Sequence, residues 1–235
     1  MIPGPGAQLR EEVAEAANVL AGLGLVTAYG HVSARAGESM LITPAADLAG
    51  VTADGLIEVP LATAGALPPG APAEAWAHLA LYRARPDAAA IARAQPASAF
   101  AVAAAVTIMV PLYGQAAWLG ESVPVHDGAA LLRSPGQAGR AAASLPAGEA
   151  LLLRGNGALT LGASPGLAVA RMWLLAAACD IYLAALAAAG TSPLIPLAAG
   201  EIASWRAVGG ELLPRLWQHL RRRAGAGADA GEEQG

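Results

Sequence analysis

The chain has 235 residues, 55% of them hydrophobic, which is enough to bury one sizeable core and makes a single domain the simplest interpretation. A formal net charge of -4 leaves no basic face for nucleic acid. All 14 basic residues are arginines, and this excludes Schiff-base, pyridoxal-phosphate and P-loop mechanisms, because each of them needs a lysine side chain.

Apolar residues recur at helical spacing in some segments and alternate in others, with turn residues between the segments. Gly22 and Gly24 end the first helix, and Pro44 ends the second strand. In chain order the predicted elements are helix 8–23, strands 32–35 and 40–43, a short helical turn 45–48, strand 56–60, helix 73–85, strand 89–95, helix 97–105, strands 107–111 and 122–125, helix 138–143, strands 149–154 and 158–161, and helices 165–189, 197–208 and 211–222.

The long apolar stretch 167–189 contains Arg171 and Asp180, which is typical of a buried helix rather than of a membrane span. Cys179, the single cysteine, lies in this stretch, and we expect a buried, inert thiol there. The first residues lack a basic region followed by an apolar one, so no signal peptide is predicted. We therefore expect a soluble, cytoplasmic protein with no membrane partner.

Strands and helices alternate irregularly, and short turns join several strand pairs. This order favours a central sheet with substantial antiparallel pairing, covered by helices. We expect one domain over residues 1–222. The arginines at 221–223 precede a segment rich in Ala, Gly and Glu, which predicts a flexible tail over 223–235.

Five segments, in this order and spacing, make the sequence resemble the class II aldolase/adducin family over about residues 8–190. The segments are Gly24–Val26 with Gly30–Arg35, Leu41–Pro44, Glu74 with His78 and Leu81–Asp87, Leu119–Val125, and Leu151–Gly162. The resemblance implies an α/β fold: a three-layer α/β/α sandwich with a central, mostly antiparallel mixed sheet. It also implies a cyclic homotetramer whose sites lie at subunit interfaces.

One loop resembles the decarboxylase-like branch of this family more than the sugar-phosphate aldolases. The loop Thr27–Gly30 is short. Pro72 and Ala73 stand near positions where phosphate-binding members carry serines. The resemblance therefore gives no support to a phosphate pocket.

Catalytic members of the family present His-x-His on a strand and a third histidine in the last hairpin turn. The matching positions here are Arg93, Gln95 and Asn156. Arginine stays protonated and cannot ligate a divalent metal, and amide oxygens are poor ligands for a zinc-type site. The sequence therefore predicts a divergent member with no tightly bound catalytic metal and no other cofactor.

Glu74 matches the catalytic acid/base of the family; the alternative is a helix N-terminal charge favoured by the helix dipole. Arg93 could replace the metal as a fixed positive charge, since a guanidinium binds a carboxylate or an enolate-like oxygen. The alternative for Arg93 is a structural ion pair with Glu74 or Asp87. Arg93 and Gln95 are two residues apart on one predicted strand, so both should face the site.

Four further residues are candidates for substrate binding. Gln95 and Asn156 would orient the substrate. His31 lies in a glycine turn beside Tyr29, where the alternative is a hydrogen bond that orders the loop. Tyr113 lies in a predicted loop and could reach the site of a neighbouring subunit; the alternative is an ordinary surface position.

Three functions remain open. The first is a metal-independent lyase that cleaves a carbon–carbon bond, by decarboxylation or aldol-type cleavage, in a small carboxylate-bearing substrate. The second is a non-catalytic family member, either a scaffold or a small-molecule-binding pseudoenzyme. The third keeps a weak metal site built from Glu74, His78 and a third residue such as His126.

Overall fold

The computed structural model describes residues 5–232, with side chains described over 6–225. The helices are α1 Pro5–Gly22, α2 Ala75–Ala84, α3 Ala97–Ala105, α4 Pro135–Ala143, α5 Pro165–Ala189 and α6 Ala199–Glu232. The strands are β1 His31–Ala36, β2 Ser39–Ile42, β3 Ile57–Pro60, β4 Ala90–Ala94, β5 Ile108–Met109, β6 Val123–His126, β7 Ala150–Leu153 and β8 Gly157–Gly162. Two short 3-10 helices span Ala53–Gly55 and Gly114–Leu119.

The strands form one sheet in the order β3-β2-β1-β4-β8-β7-β6-β5. Neighbouring strands are antiparallel except β6 and β7, which pair in parallel. The two central strands are β4 and β8, and Arg93 is opposite Leu159 in their register. This topology confirms the predicted mixed, mostly antiparallel sheet.

Alternation along the strands divides the core into two layers, one on each face of the sheet. On β4, Ala90, Ala92 and Ala94 face the cluster formed with α1, α3 and α5, whereas Ile91 faces the cluster formed with α2 and α4. The small alanine side chains let α5 pack closely across β4 and β8. The predicted three-layer sandwich is therefore confirmed.

Helix α5 has the length and composition of a membrane span, but in this fold it is a core helix that packs on β4 and β8. Its Arg171 donates hydrogen bonds to the carbonyl oxygens of Leu161 (2.8 Å) and Trp118 (3.2 Å). Cys179 is fully buried, and burial raises the pKa of its thiol to about 12. The prediction of a buried, inert thiol in a buried helix is consistent with these contacts.

Three local predictions differ from the structure. Residues 45–48 form no helix, because the Asp47 carboxylate accepts a hydrogen bond from the Ala49 amide and makes a turn instead. The predicted break between helices 197–208 and 211–222 is absent: Gly209 lies against the Trp118 ring, where an added Cβ would be only 3.0 Å from it. Gly209 is thus a packing residue within a continuous helix.

Helix α6 also continues to Glu232, through most of the segment 223–235. Alanine alternates here mostly with glycine, which has a low helix propensity, so local propensity alone does not predict this extension. The flexibility of this tail stays a prediction, and residues 233–235 lie outside the described residues.

Candidate active site

A cavity of about 600 Å³ opens at one end of the sheet, on the face covered by α2. It is enclosed by the start of β1, the end of β4, the β7–β8 turn, the N-terminus of α2 and the segment between β6 and α4. The polar side chains that line it are those of Tyr29, His31, Asp47, Glu74, Arg93, Gln95, Arg133 and Asn156.

Strand register places the inner residues of the cavity. His31 on β1 is directly opposite Arg93 on β4, so two basic side chains meet on one face of the sheet. The β7–β8 turn brings Asn156 to the same place. Gly157 in this turn has φ of 85° and an added Cβ would lie 2.3 Å from the Ala94 carbonyl oxygen, so only glycine lets the turn approach β4.

Arg93 is only 2% exposed, and its Nη2 donates a 2.6 Å hydrogen bond to Oδ1 of Asn156. The Nε of Arg93 and the Nδ2 of Asn156 are buried donors with no partner among the described residues. Within the described part of the chain, no carboxylate lies within 4.0 Å of this guanidinium, since Asp87 pairs with Arg85 and Glu74 pairs with Arg133. Neither of the structural ion pairs considered for Arg93 is present.

Glu74 immediately precedes the first residue of α2 and is 8% exposed. Its Oε1 accepts a 2.8 Å hydrogen bond from Nε of Arg133. Burial alone would raise the pKa of this carboxyl, but the Arg133 hydrogen bond and the nearby charge of Arg93 outweigh it, and the pKa lies below its ordinary value. Glu74 is therefore an ionised carboxylate that pairs with Arg133 and is further stabilised by the charge of Arg93.

Arg133 lines the cavity, as does Asp47, although the sequence predicted neither of them there. Arg133 is the one of the two that pairs with Glu74. It lies in an irregular segment between β6 and α4, followed by the helix-capping Ser134. The Ser-Pro pair that follows indicates a helix start, but nothing nearby indicates that the preceding arginine reaches a residue 59 positions earlier in the chain. Only the tertiary fold brings the two together.

His31 is the first residue of β1 rather than part of the glycine turn in which it was predicted, because it pairs with β4. It is 7% exposed and lines the cavity, whereas its neighbour Tyr29 is 67% exposed at the rim. Burial, with a further contribution from the charge of Arg93, lowers the pKa of His31 to about 4. The imidazole is therefore neutral at physiological pH.

The buried neutral state of His31 makes stability depend on pH. The unfolded chain binds a proton at this histidine below about pH 6.5, whereas the folded protein binds it only near pH 4. Folding stability should therefore fall as the pH drops from 6.5 to 4, by about 3 kcal/mol from this residue. We expect H31Q to lose that part of the slope in denaturant unfolding measured at several pH values, and a slope parallel to the wild type would contradict it.

The remaining candidates fall into two groups. Gln95 lines the cavity beside Arg93, as residues two apart on a strand should. Tyr113 does not line it: it packs against the core cluster on the α5 face of the sheet, and its hydroxyl is buried there. A role for Tyr113 in the site of a neighbouring subunit stays a prediction.

The cavity residues do not fit a divalent metal. The side-chain oxygen of Asn156, which stands where the family resemblance places the third metal-binding histidine, accepts its hydrogen bond from the Arg93 guanidinium. Over residues 6–225, no group of three His, Cys, Asp or Glu side chains is placed to hold an ion. His126 hydrogen-bonds to Ser144 and is not a cavity residue, so it does not join Glu74 and His78.

Comparisons with known proteins give one family and many solved structures. Residues 11–183 match the family described as Class II Aldolase and Adducin N-terminal domain. No functionally curated protein matches significantly. L-fuculose-1-phosphate aldolase from Thermus thermophilus is 29% identical, with a TM-score of 0.71, over 80% of this chain and 99% of its own.

Two further structures are similar. YgbL from Escherichia coli, a candidate aldolase/epimerase/decarboxylase, is 25% identical with a TM-score of 0.73, over 86% of this chain and 100% of its own. An aldolase II superfamily protein from Pseudomonas syringae is 24% identical with a TM-score of 0.77, over 95% of this chain and 94% of its own, and supports the fold alone.

Proposed function

The chain belongs to the class II aldolase and adducin family, and from this premise we propose that it is a carbon–carbon lyase for a small carboxylate-bearing substrate that works without a tightly bound metal. The observation that carries the proposal is Arg93, a buried guanidinium with no carboxylate partner among the described residues, in a cavity that also holds the ionised Glu74. A buried unpaired charge is costly, and an anionic ligand or transition state would compensate it.

The arrangement supports an aldol-type cleavage. The Glu74 carboxylate takes the proton of a substrate hydroxyl, and the oxygen then forms a carbonyl as the adjacent carbon–carbon bond breaks. The electron pair of that bond passes to the other fragment as an enolate, whose oxygen Arg93 stabilises. Glu74 then returns the proton to the enolate carbon, so protons and electrons balance within one cycle.

Two other groups would bind and orient the substrate. The Nδ2 of Asn156 is a buried donor without a partner in the described structure, so a substrate oxygen can accept its hydrogen bond. Gln95 lines the same wall. Arg133 places a second positive charge beside Glu74, which favours a substrate carboxylate near the mouth of the cavity.

Decarboxylation by the same residues is the second reaction that we keep open. Loss of CO2 also leaves an enolate for Arg93, but the carbanion then needs a proton. Because Glu74 begins ionised, that proton would have to come from solvent. The charge state of Glu74 thus supports aldol-type cleavage ahead of decarboxylation.

The test is an assay of the purified protein after treatment with EDTA and dialysis. The probes are small 4-hydroxy-2-oxo acids, which release an aldehyde on aldol cleavage, and small 3-oxo acids, which release CO2. We expect aldehyde release that the chelator does not reduce. Stoichiometric zinc, manganese or iron that survives dialysis, or turnover that needs added metal, would overturn the metal-independent mechanism.

A small-molecule-binding pseudoenzyme is the alternative that one observation favours. The unpartnered buried donors of Arg93 and Asn156 need a ligand, but not a reaction. A thermal shift with the same oxo acids, in the absence of any product, would favour this alternative. No shift and no product would favour a scaffold.

The assembly and the location are part of the proposal. We propose a homotetramer in the cytoplasm, as the family resemblance implies. Exposed apolar residues such as Ile108, Ile181 and Trp205 are available to form subunit contacts.

A further inference from the structure

A chain of buried polar side chains lies directly behind His31. Ser33 is two residues further along β1 and so points to the same face of the sheet. Its hydroxyl oxygen lies 2.7 Å from Nδ1 of His78 and 2.8 Å from the Tyr82 hydroxyl. His78 and Tyr82 are four residues apart on α2, which places them on one helix face.

Only one set of proton positions satisfies all three groups. Burial raises the pKa of the Tyr82 phenol well above its ordinary value, so it keeps its proton, and Ser33 is the acceptor within reach. Ser33 must then donate its own proton to His78, which makes Nδ1 of His78 the acceptor. The reverse order would leave the phenol proton without an acceptor in a buried site. His78 therefore carries its proton on Nε2.

The next link in the chain is the contact between the two histidine rings. Nε2 of His78 and Nδ1 of His31 are both buried without a hydrogen-bond partner among the described residues. The two rings meet edge to face with their centroids 6.2 Å apart. The described structure contains no hydrogen bond between the two rings, and Nδ1 of His31 is the unpartnered nitrogen on the ring that His78 contacts.

From this geometry we propose that Tyr82, Ser33 and His78 are positioning residues that hold His31 as the Nε2–H tautomer, so that His31 donates a hydrogen bond into the cavity. With its proton on Nε2, His78 needs an acceptor, and the unpartnered Nδ1 of the adjoining His31 ring can accept this hydrogen bond. The remaining proton of His31 is then on its own Nε2. That nitrogen is not among the fully buried unpartnered atoms, and His31 lines the cavity.

The tautomer of His31 does not depend on the reaction, but the identity of the oxygen that accepts its hydrogen bond rests on the proposed lyase function. In aldol-type cleavage the substrate hydroxyl oxygen becomes a carbonyl, and a neutral imidazole N–H is a suitable hydrogen-bond donor to an oxygen in the cavity. Arg93 would hold the enolate oxygen and His31 the second oxygen. Their opposite positions on β4 and β1 suit two oxygen atoms of one small substrate.

The test is nitrogen NMR of protein labelled with 15N-histidine, which needs no substrate. The chain has four histidines, so single His→Gln variants assign every signal. We expect His31 and His78 each to be a single Nε2–H tautomer. In S33A and in Y82F, His31 should no longer be a single tautomer. In Y182F, which removes the hydroxyl of another buried tyrosine, His31 should remain a single tautomer.

Each other outcome contradicts a defined part of the inference. Either of two results would overturn the positioning role of Tyr82, Ser33 and His78, whether or not the protein turns over any substrate. One is the Nδ1–H tautomer of His31 in the wild type, and the other is a His31 spectrum that is unchanged in S33A and Y82F. If either variant fails to fold, the wild-type spectrum alone still shows which tautomer His31 adopts.

The donor role is tested with pyruvate, a small 2-oxo acid. Pyruvate should move the Nε2–H signal of His31 and leave that of the exposed His219 in place. A signal of His31 that does not move would overturn its contact with ligand, even where the tautomer is as expected.

Discussion

Replacing Arg93 with methionine is expected to lower kcat by about 100- to 1,000-fold, the typical effect of removing one preorganised donor to a transition-state oxyanion. Methionine matches the length of the arginine stem but carries no charge and no donor. The measurement is steady-state turnover of the 4-hydroxy-2-oxo acid that the wild type cleaves fastest. Thermal shift with pyruvate should lose its ligand dependence in the same variant.

The stability of this variant distinguishes a site residue from a structural one. The guanidinium is 2% exposed and has no carboxylate partner in the described structure, so its removal relieves a desolvation penalty. Against this, the Asn156 oxygen loses its donor, which costs about 1–3 kcal/mol. Because the two effects oppose each other, we expect the free energy of unfolding to change by less than about 2 kcal/mol.

Arg154 provides the matched control. Arg154 precedes Asn156 in the same β7–β8 turn. Its side chain is half-exposed and pairs with Asp127 outside the cavity. R154M should keep wild-type turnover. Full activity in R93M, or equal losses in R93M and R154M, would remove Arg93 from the mechanism.

The second large effect is expected for Glu74. E74Q keeps the shape of the side chain and an oxygen that can accept from Arg133, but it cannot take up a proton. We expect kcat to fall by about 100- to 10,000-fold with little change in KM, as for loss of a general base. Stopped or steady-state assays of aldehyde release measure the two constants separately.

Two variants sharpen this result. Glu149 is a partly buried glutamate paired with Arg171 away from the cavity, so E149Q should leave kcat unchanged. R133M removes the hydrogen bond that lowers the pKa of Glu74, so the pH at which activity is lost on acidification should move upward. An unchanged kcat in E74Q, or a pH profile of R133M that matches the wild type, would show that Glu74 is not the base.

Much of the fold was accessible from the sequence because local patterns and the fold agree. Alternation in the strand that became β3, the tight turn between β7 and β8, and the proline at the start of α5 all predict the elements that form. The cavity position of Arg93, Gln95 and Asn156 follows from the family resemblance, and the three do line one cavity. Which of them act on substrate stays a prediction.

The features that escaped prediction depend on contacts between distant residues. Gly209 lies within the continuous α6 and packs against the Trp118 ring, a contact that no local propensity reports. Arg133 reaches Glu74 from a segment without periodicity, and a lone arginine in such a segment has no pattern to mark it. The chain of polar groups behind His31 likewise joins β1 to α2 across more than 40 intervening positions.

The ion pair between Arg133 and Glu74 lets the charge of the carboxylate be controlled by a residue outside the packed core. Glu74 is fixed at the edge of the packed core, whereas the arginine that sets its charge has a side chain that is 56% exposed on an irregular connection. A substitution on that connection would change how readily Glu74 releases a proton without disturbing either hydrophobic layer. Evolution, or a protein engineer, could therefore adjust the basicity of the catalytic carboxylate through a surface residue alone.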